Sequence, residues 1–457
     1  MAFTAHAPLC PVVTSGKAEG QIFSSKNSFF SIKKHQNQNI ISAANKTSTM
    51  ALFAARGNVG RFCLLASRSG KLVTPVEISQ KMAGACFLQV AHITAPANQL
   101  TKVERAKPWP YKTLSYNIFW QLFDKTYKRI DENSKVICVE GNMGVGKTAF
   151  AQKLAEELDF HYVPMTEHDA AYWDEHKRFH LSELNPALPE QYQIFDLEQF
   201  YRQKNPESGR AGLLQLYWFQ KRVFDYSAGL QHLFNTGQGV VFDRSPWSDH
   251  VWIEALRKCG FLKPGGYRYC MENRRIVMCE MFKPHVTVYL DSPVSKVMDN
   301  VKKRNIDYEV NSKIMSEKYV QEIDNAFKND FLPLMKKHGE VLVYDANELE
   351  DWEIIVEDIE RLNLEPDEQE NEHKFIDWNL TREDDLAYYR KLFGWKFYIH
   401  RLFRLPEPWQ SPECMIGPDE AQALRDAKTR YSRQEYPAGY NAEDSLFDKL
   451  FERNRSY

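Results

Sequence analysis

The stretch "VICVEGNMGVGKTAF", Val136 to Phe150, joins a hydrophobic run, a glycine-rich turn and the opening of a helix. Gly141 and Gly146 bracket the turn and Lys147 and Thr148 close it, so "GNMGVGKT" fits the GxxxxGKT spacing. In such a turn Gly141, Asn142, Gly144 and Gly146 let backbone N–H groups converge on phosphate oxygens, and the helix N-terminus adds positive potential. Lys147 would reach the outer phosphates, and Thr148 would offer its hydroxyl to Mg²⁺. An empty βα turn is the competing reading, and the strand-turn-helix context favours the nucleotide site.

Working outward, four further runs read as buried strands: "FHYVP" (160–164), "GVVFDRS" (239–245), "HVTVYLD" (285–291) and "EVLVYDA" (340–346). Helical patterns separate them, and that alternation predicts an α/β fold with a five-stranded parallel sheet covered by helices on both faces. "GVVFDRS" places Asp243 at the carboxyl end of its strand, where open α/β sheets bind ligands. Asp243 is a candidate Mg²⁺ ligand beside Thr148, and Arg244 a candidate contact to phosphate or acceptor. Glu167, just past the short second strand, is the candidate general base for an acceptor hydroxyl.

Composition narrows the function. A chain of 457 residues, 43% hydrophobic with ten tryptophans, has material for about two to three domains. No run approaches the roughly 18 apolar residues that a transmembrane helix needs, so no membrane span is expected. Residues 1–76 carry nine Lys or Arg against one acid, Glu19, the composition of a mitochondrial presequence. Within them "MALFAARGNVGRFCLLASRSG" reads as an arginine-bearing amphipathic helix, and its Met50 competes with Met1 as the start. The whole chain carries −2, so the remainder carries −10; an acidic body argues against nucleic acid as a partner. The eight cysteines form no CxxC pair, which points to thiols in a reducing compartment rather than a cluster.

Residues 135–345 resemble the deoxynucleoside kinase family. The resemblance lies in the phosphate loop Gly141–Thr148, in Glu167 followed by Trp173, in Gln215 and Arg222 of "LLQLYWFQKR", and in "DRSPWSD", Asp243 to Asp249. It implies a phosphate-loop NTPase fold of deoxynucleoside kinase type. It also implies Glu167, Asp243 and Arg244 as the catalytic set if the protein is active, and Trp173, Gln215, Arg222 and Asp249 as the nucleoside site. Three departures stand out: Asp243 replaces the family's glutamate, His168 follows Glu167 where the family has proline, and the lid "VKKRNIDYEV" keeps Arg304 alone for the donor phosphates. Lys302 and Lys303 cannot fork onto phosphate as arginines do.

Two flanking segments lie outside that resemblance. "YNIFWQLFDKTY" sets Tyr116, Phe119, Trp120, Phe123 and Tyr127 on one helical face, which needs a surface to bury it. After the charged "EPDEQENEHK" (365–374), the tail "TREDDLAYYRKLFGWKFYIHRLF" offers Thr381 as N-cap and a stripe of Leu386, Tyr389, Phe393 and Phe397. Tyr388, Trp395 and Tyr398 lie off the stripe, so this helix is expected to contact more than one body, and the segments beyond it, "RLPEPWQSPECMIGP" and "EYPAGYNAED", are expected to wrap over a neighbour. With these flanks included, residues 105–457 are similar to the kinase-like accessory subunits of mitochondrial respiratory complex I, through "ENSKVICVEGN", "LQHLFNTGQGVVFDRSPWSD", "VQEIDNAFKNDFLP" and the terminal "AGYNAE".

That similarity implies a non-catalytic subunit on the matrix side of the membrane arm, peripheral to the inner membrane, with other complex I subunits as partners. It also implies a retained ATP, ADP or deoxynucleotide site with Mg²⁺. FAD has been attributed to the family, but no GxGxxG turn supports it here. The alternative is an active mitochondrial deoxynucleoside kinase using Mg-ATP. The expected organisation is a presequence and disordered N-terminus (1–76), an extension with an aromatic helix (77–134), a kinase-like domain (135–364), and a linker with a C-terminal docking extension (365–457).

Overall fold

The computed structural model describes residues 93–96, 107–173, 179–189, 193–203, 210–349, 351–366, 374–405, 414 and 417–432. The expected presequence and the terminal "AGYNAE" lie outside these residues. Strands β1 (Val136–Gly141), β2 (His161–Val163), β3 (Val240–Asp243), β4 (Val286–Asp291) and β5 (Glu340–Asp345) form one sheet in the order β2-β3-β1-β4-β5. Every pairing is parallel. All six residues of β1 are buried. Successive side chains of a strand point to opposite faces, so both faces of the sheet are covered at its centre, as a parallel sheet requires.

The register sets where a ligand can sit. Val139 lies opposite Asp243, and Gly141 opposite Leu290, so the carboxyl ends of β1, β3 and β4 lie side by side. From β1 the chain runs outward to β2, and from β3 it crosses to β4 on the other side. The crevice at that reversal is where open α/β sheets bind ligands.

In chain order the longer helices are α1 (Ile118–Phe123), α2 (Lys147–Leu158), α3 (Arg210–Thr236), α4 (Asp249–Lys258), α5 (Pro264–Met278), α6 (Val294–Arg304), α7 (Glu317–Ala326), α8 (Trp352–Glu360), α9 (Glu383–Gly394), α10 (Lys396–Leu402) and α11 (Pro418–Ser432). The 27-residue α3 runs against the sheet with Val223, Tyr226, Leu230 and Leu233 fully buried. Gly229 faces β3 so closely that a Cβ there would lie 2.3 Å from Phe242 Cζ, which explains a glycine in a helix interior.

Two expectations for the flanks are corrected. The aromatic stretch is not one five-residue face. Only 118–123 are α-helical, Tyr116 is buried and Trp120 half-buried against Trp109, and Phe119, Phe123 and Tyr127 stay exposed. Asn117 caps this turn by accepting from Trp120 N, and the chain leaves it at Asp124 in extended backbone. Thr381 is not the N-cap of α9: Arg382 holds that position, and Glu383, Asp384 and Asp385 fill the first turn, where acids suit the helix dipole. The described first part of the tail packs on its own chain, and the segments expected to wrap over a neighbour lie mostly outside the described residues. Phe393 and Trp378 stack on Phe234, and Tyr389 and Trp378 pack on Phe282.

Arg390 pins that contact. Its side chain has no exposed surface, and it donates to Asp124 Oδ2 at 2.7 Å and to Asn235 Oδ1 at 2.7 Å. Its guanidinium lies 3.8 Å from the Tyr116 ring centroid. Glu383 accepts from the backbone N–H groups of Thr126 and Tyr127 at 2.9 and 3.0 Å. One buried cation therefore ties the N-terminal flank, the C-terminal flank and α3 together, and removing it would leave Asp124 short of a partner.

Candidate nucleotide site

The phosphate loop is shaped by backbone geometry that only glycine tolerates well. Gly141, Gly144 and Gly146 have φ of +152°, +68° and +87°, and a Cβ at Gly141 would lie 2.7 Å from the Leu290 carbonyl oxygen. The loop is braced from outside: Asn300 Nδ2 donates to Gly144 O at 3.0 Å, and Asn142 Nδ2 to Val320 O at 3.3 Å. Lys147 Nζ donates to Asn142 O at 2.6 Å, across the mouth of the loop. Walling-in by the surrounding structure, with repulsion from Arg244, pushes the Lys147 ammonium down to about 8.

Thr148 Oγ1 donates to Asp243 Oδ2 at 2.5 Å, so the two oxygens predicted to hold a metal do converge. A hydroxyl and a carboxylate at one point suit a hard cation such as Mg²⁺. Arg244 sits in the left-handed region at φ +72°, and its guanidinium stacks 4.1 Å from the Trp252 ring centroid at the cavity wall. Burial, then repulsion from Arg222, lowers the Arg244 pKa to about 9.

Sequence reasoning missed what holds this turn. Glu140, fully buried at the end of β1, accepts from Ser245 N at 2.8 Å and Ser245 Oγ at 2.6 Å. Its acid sits inside an otherwise apolar strand, and that break in the pattern was the available signal. Burial raises the Glu140 carboxyl above its usual range.

A cavity of about 260 Å³ extends from the loop along α3. Gly144, Gly146, Lys147, Thr148, Asp243, Arg244, Gln215, Arg222 and Arg304 all line it. Gln215 is buried with its Nε2 unbonded within the described residues. Arg222 forms an ion pair with the fully buried Asp249; burial raises the Asp249 carboxyl and Arg222 pulls it back down. Asp249 thus acts on the cavity through Arg222 rather than from its wall. Met165, Leu197, Phe200 and Tyr201 close the apolar end.

Two predicted residues are not brought there. Glu167 is exposed at the start of the turn His168–Ala171, and His168 lines the cavity in its place. Trp173 lies outside the lining, its Nε1 donating to Asp169 Oδ2 at 2.9 Å. Arg304 reaches the cavity, but Glu309 accepts its Nη2 at 2.5 Å.

A glycine cradle with a lysine, a hydroxyl–carboxylate pair and a cavity leading to the Gln215 amide belong to a phosphate-loop α/β fold. The family model for deoxynucleoside kinases matches residues 137–377, more than half of the chain. The chain belongs to the deoxynucleoside kinase family. It is 32% identical over 329 residues to NADH dehydrogenase (ubiquinone) 1 alpha subcomplex subunit 10, mitochondrial, of Bos taurus, covering 70% of this chain and 88% of the bovine one. It is 25% identical to the deoxyguanosine kinase of Dictyostelium discoideum, covering 56% of this chain and 80% of that one. The structure of deoxyadenosine kinase from M. mycoides with bound dATP aligns over 49% of this chain and 97% of that one, at 17% identity and a TM-score of 0.35.

Proposed function

We propose that this protein is a non-core accessory subunit of mitochondrial NADH:ubiquinone oxidoreductase, complex I. In this reading it supports assembly or stability of the membrane arm from the matrix side and keeps a nucleotide site. The observation that carries it is the reach of the bovine similarity. That similarity spans 329 residues where the kinase family model spans 137–377, so it takes in sequence flanking the kinase fold. Those flanks are braced on the core through Arg390, Asp124 and Glu383. Other complex I subunits are then the partners, and residues 1–76 are the leader that brings the chain to mitochondria.

In the nucleotide site Gly141 to Gly146 would hold the phosphates through backbone N–H groups, Lys147 would neutralise them, and Gln215 with Arg222 would read the nucleoside. Thr148 and Asp243 would hold Mg²⁺, which would neutralise charge on ATP, ADP or a deoxynucleotide. No step is assigned to FAD, because the turn after β1 has the GxxxxGKT form and no GxGxxG. Transfer asks more: a base at the acceptor and donor-side arginines free to close. Glu167 faces solvent and Arg304 is engaged by Glu309. The active deoxynucleoside kinase is the second reading, and the complete phosphate loop favours it.

Depletion of the chain in its own cells tests the proposal. The expected result is loss of the fully assembled complex on native gels with accumulation of membrane-arm fragments. An unchanged complex with altered deoxynucleotide pools would support the kinase instead.

A further inference from the structure

The brace around Arg390 leaves one face of the N-terminal flank uncovered. Helix α1 has no buried residue, and Ile118, Phe123, Leu122 and Phe119 are 73, 71, 67 and 60% exposed, with Tyr127 beside them. Scattered apolar residues are ordinary on a surface, but a contiguous group of large ones marks an interaction site. Packing on the chain itself is already taken by Tyr116 and Trp120. The exposed group forms an apolar knob, with Asn117 satisfying Trp120 N, so that N–H enters a less polar environment already paired.

Charge says what the knob faces. Residues 107–134 carry Lys107, Lys112, Lys125, Lys128 and Arg129 against Asp124, Asp131 and Glu132, in a chain that is acidic beyond residue 76, and Asp131 accepts from Asn133 N and Ser134 Oγ. Asp124 is engaged by Arg129 and Arg390. Of the acids brought near from α9, Glu383 accepts from Thr126 and Tyr127 N–H, and Asp384 accepts from Gln121 and lies 3.5 Å from Arg382. Lys112 and Lys128 are exposed and Lys125 half-exposed. Exposed aromatic and aliphatic side chains with exposed lysines in the same segment are the pattern of a segment that sits in a bilayer interface carrying anionic lipid. The acidic body would be repelled by the same surface, so the field also orients the molecule.

We propose that the α1 knob is a monotopic anchor, inserting Ile118, Phe119, Leu122 and Phe123 among the lipids of an anionic bilayer while Lys112, Lys125 and Lys128 meet the headgroups. The proposal deepens the accessory-subunit reading and rests on it for a membrane beside the chain. No helix among the described residues is long and apolar enough to cross a membrane, so the contact is with one leaflet.

The test is flotation of the full chain with vesicles of phosphatidylcholine alone or mixed with phosphatidylglycerol. Binding is expected to the mixed vesicles only and to weaken with added salt. It should fall at least about tenfold in F119S/F123S, whose thermal midpoint stays that of the wild type because both side chains are exposed. K112E/K125E/K128E should lose the lipid-charge preference. No flotation with either vesicle, or flotation unchanged in F119S/F123S, overturns the anchor and gives the knob to a protein partner or another segment of this chain. Co-migration with complex I is scored separately: retained co-migration without flotation sinks the anchor alone, and flotation without co-migration sinks the subunit reading alone.

Discussion

Among the groups for binding, Lys147, Thr148 and Asp243 bond to one another or to the loop they serve, whereas among the groups for transfer Glu167 faces solvent and the donor-side Arg304 is tied to Glu309. The first set sits where the loop after β1 enters α2 and at the end of β3, beside the centre of the sheet. The second sits on a single helical turn and a helix terminus. Binding and transfer draw on different parts of such a fold, and the parts for binding are the better supported here. A chain can hold nucleotide as a structural ligand, stabilising its folded state by mass action, while lacking the positioned groups that transfer requires.

Substitutions can sharpen that comparison. The largest expected effect lies in the brace. Arg390→Ala removes a buried cation that bonds Asp124 and Asn235 while Asp124 keeps Arg129, and should cost about 2 to 3 kcal/mol of stability, measured by denaturant unfolding; a loss below about 1 kcal/mol would mean the flanks are only loosely seated. Lys147→Ala should weaken nucleotide binding by about 2 kcal/mol, on the order of 30-fold by calorimetry, since it removes a charge-assisted contact. Equal affinity in that variant would mean the cavity holds something other than phosphate.

A pH series should follow. Below about 8 the Lys147 ammonium is already charged, and binding needs no proton there. As pH rises through that value the free protein loses the charge, phosphate binding must restore it, and affinity falls. Calorimetry in buffers of different ionisation enthalpy should detect proton uptake only above that point. The smallest effect is expected from Glu167→Gln, within about twofold on nucleotide binding, as for most exposed sites. A measurable turnover abolished by that change would break the contrast between the two sets.

What the sequence made legible follows from how local each feature is. The loop from Gly141 to Thr148 and the acid of β3 could be placed because a strand, a turn and a helix start are written in consecutive residues. Glu140 could not, because its partner Ser245 lies 105 residues away. Arg390 was passed over for the same reason: it is one charge in "AYYRKLF", and Asp124 is 266 residues distant. Glu167 and Trp173 were placed by resemblance, and neither is among the residues that line the cavity, whereas His168 is. In the tail, periodicity gave the apolar face of α9 but not its occupant, which is Phe234 and Phe282 of the same chain.

The most direct measurement is native separation of gently solubilised mitochondria, probing for this chain and assaying each fraction for phosphoryl transfer from Mg-ATP to deoxynucleosides, with wild-type chain and Lys147→Ala. The expected result is a chain confined to the complex I band with no Lys147-dependent turnover. A free pool whose turnover disappears with Lys147 would contradict it and make the protein a working deoxynucleoside kinase.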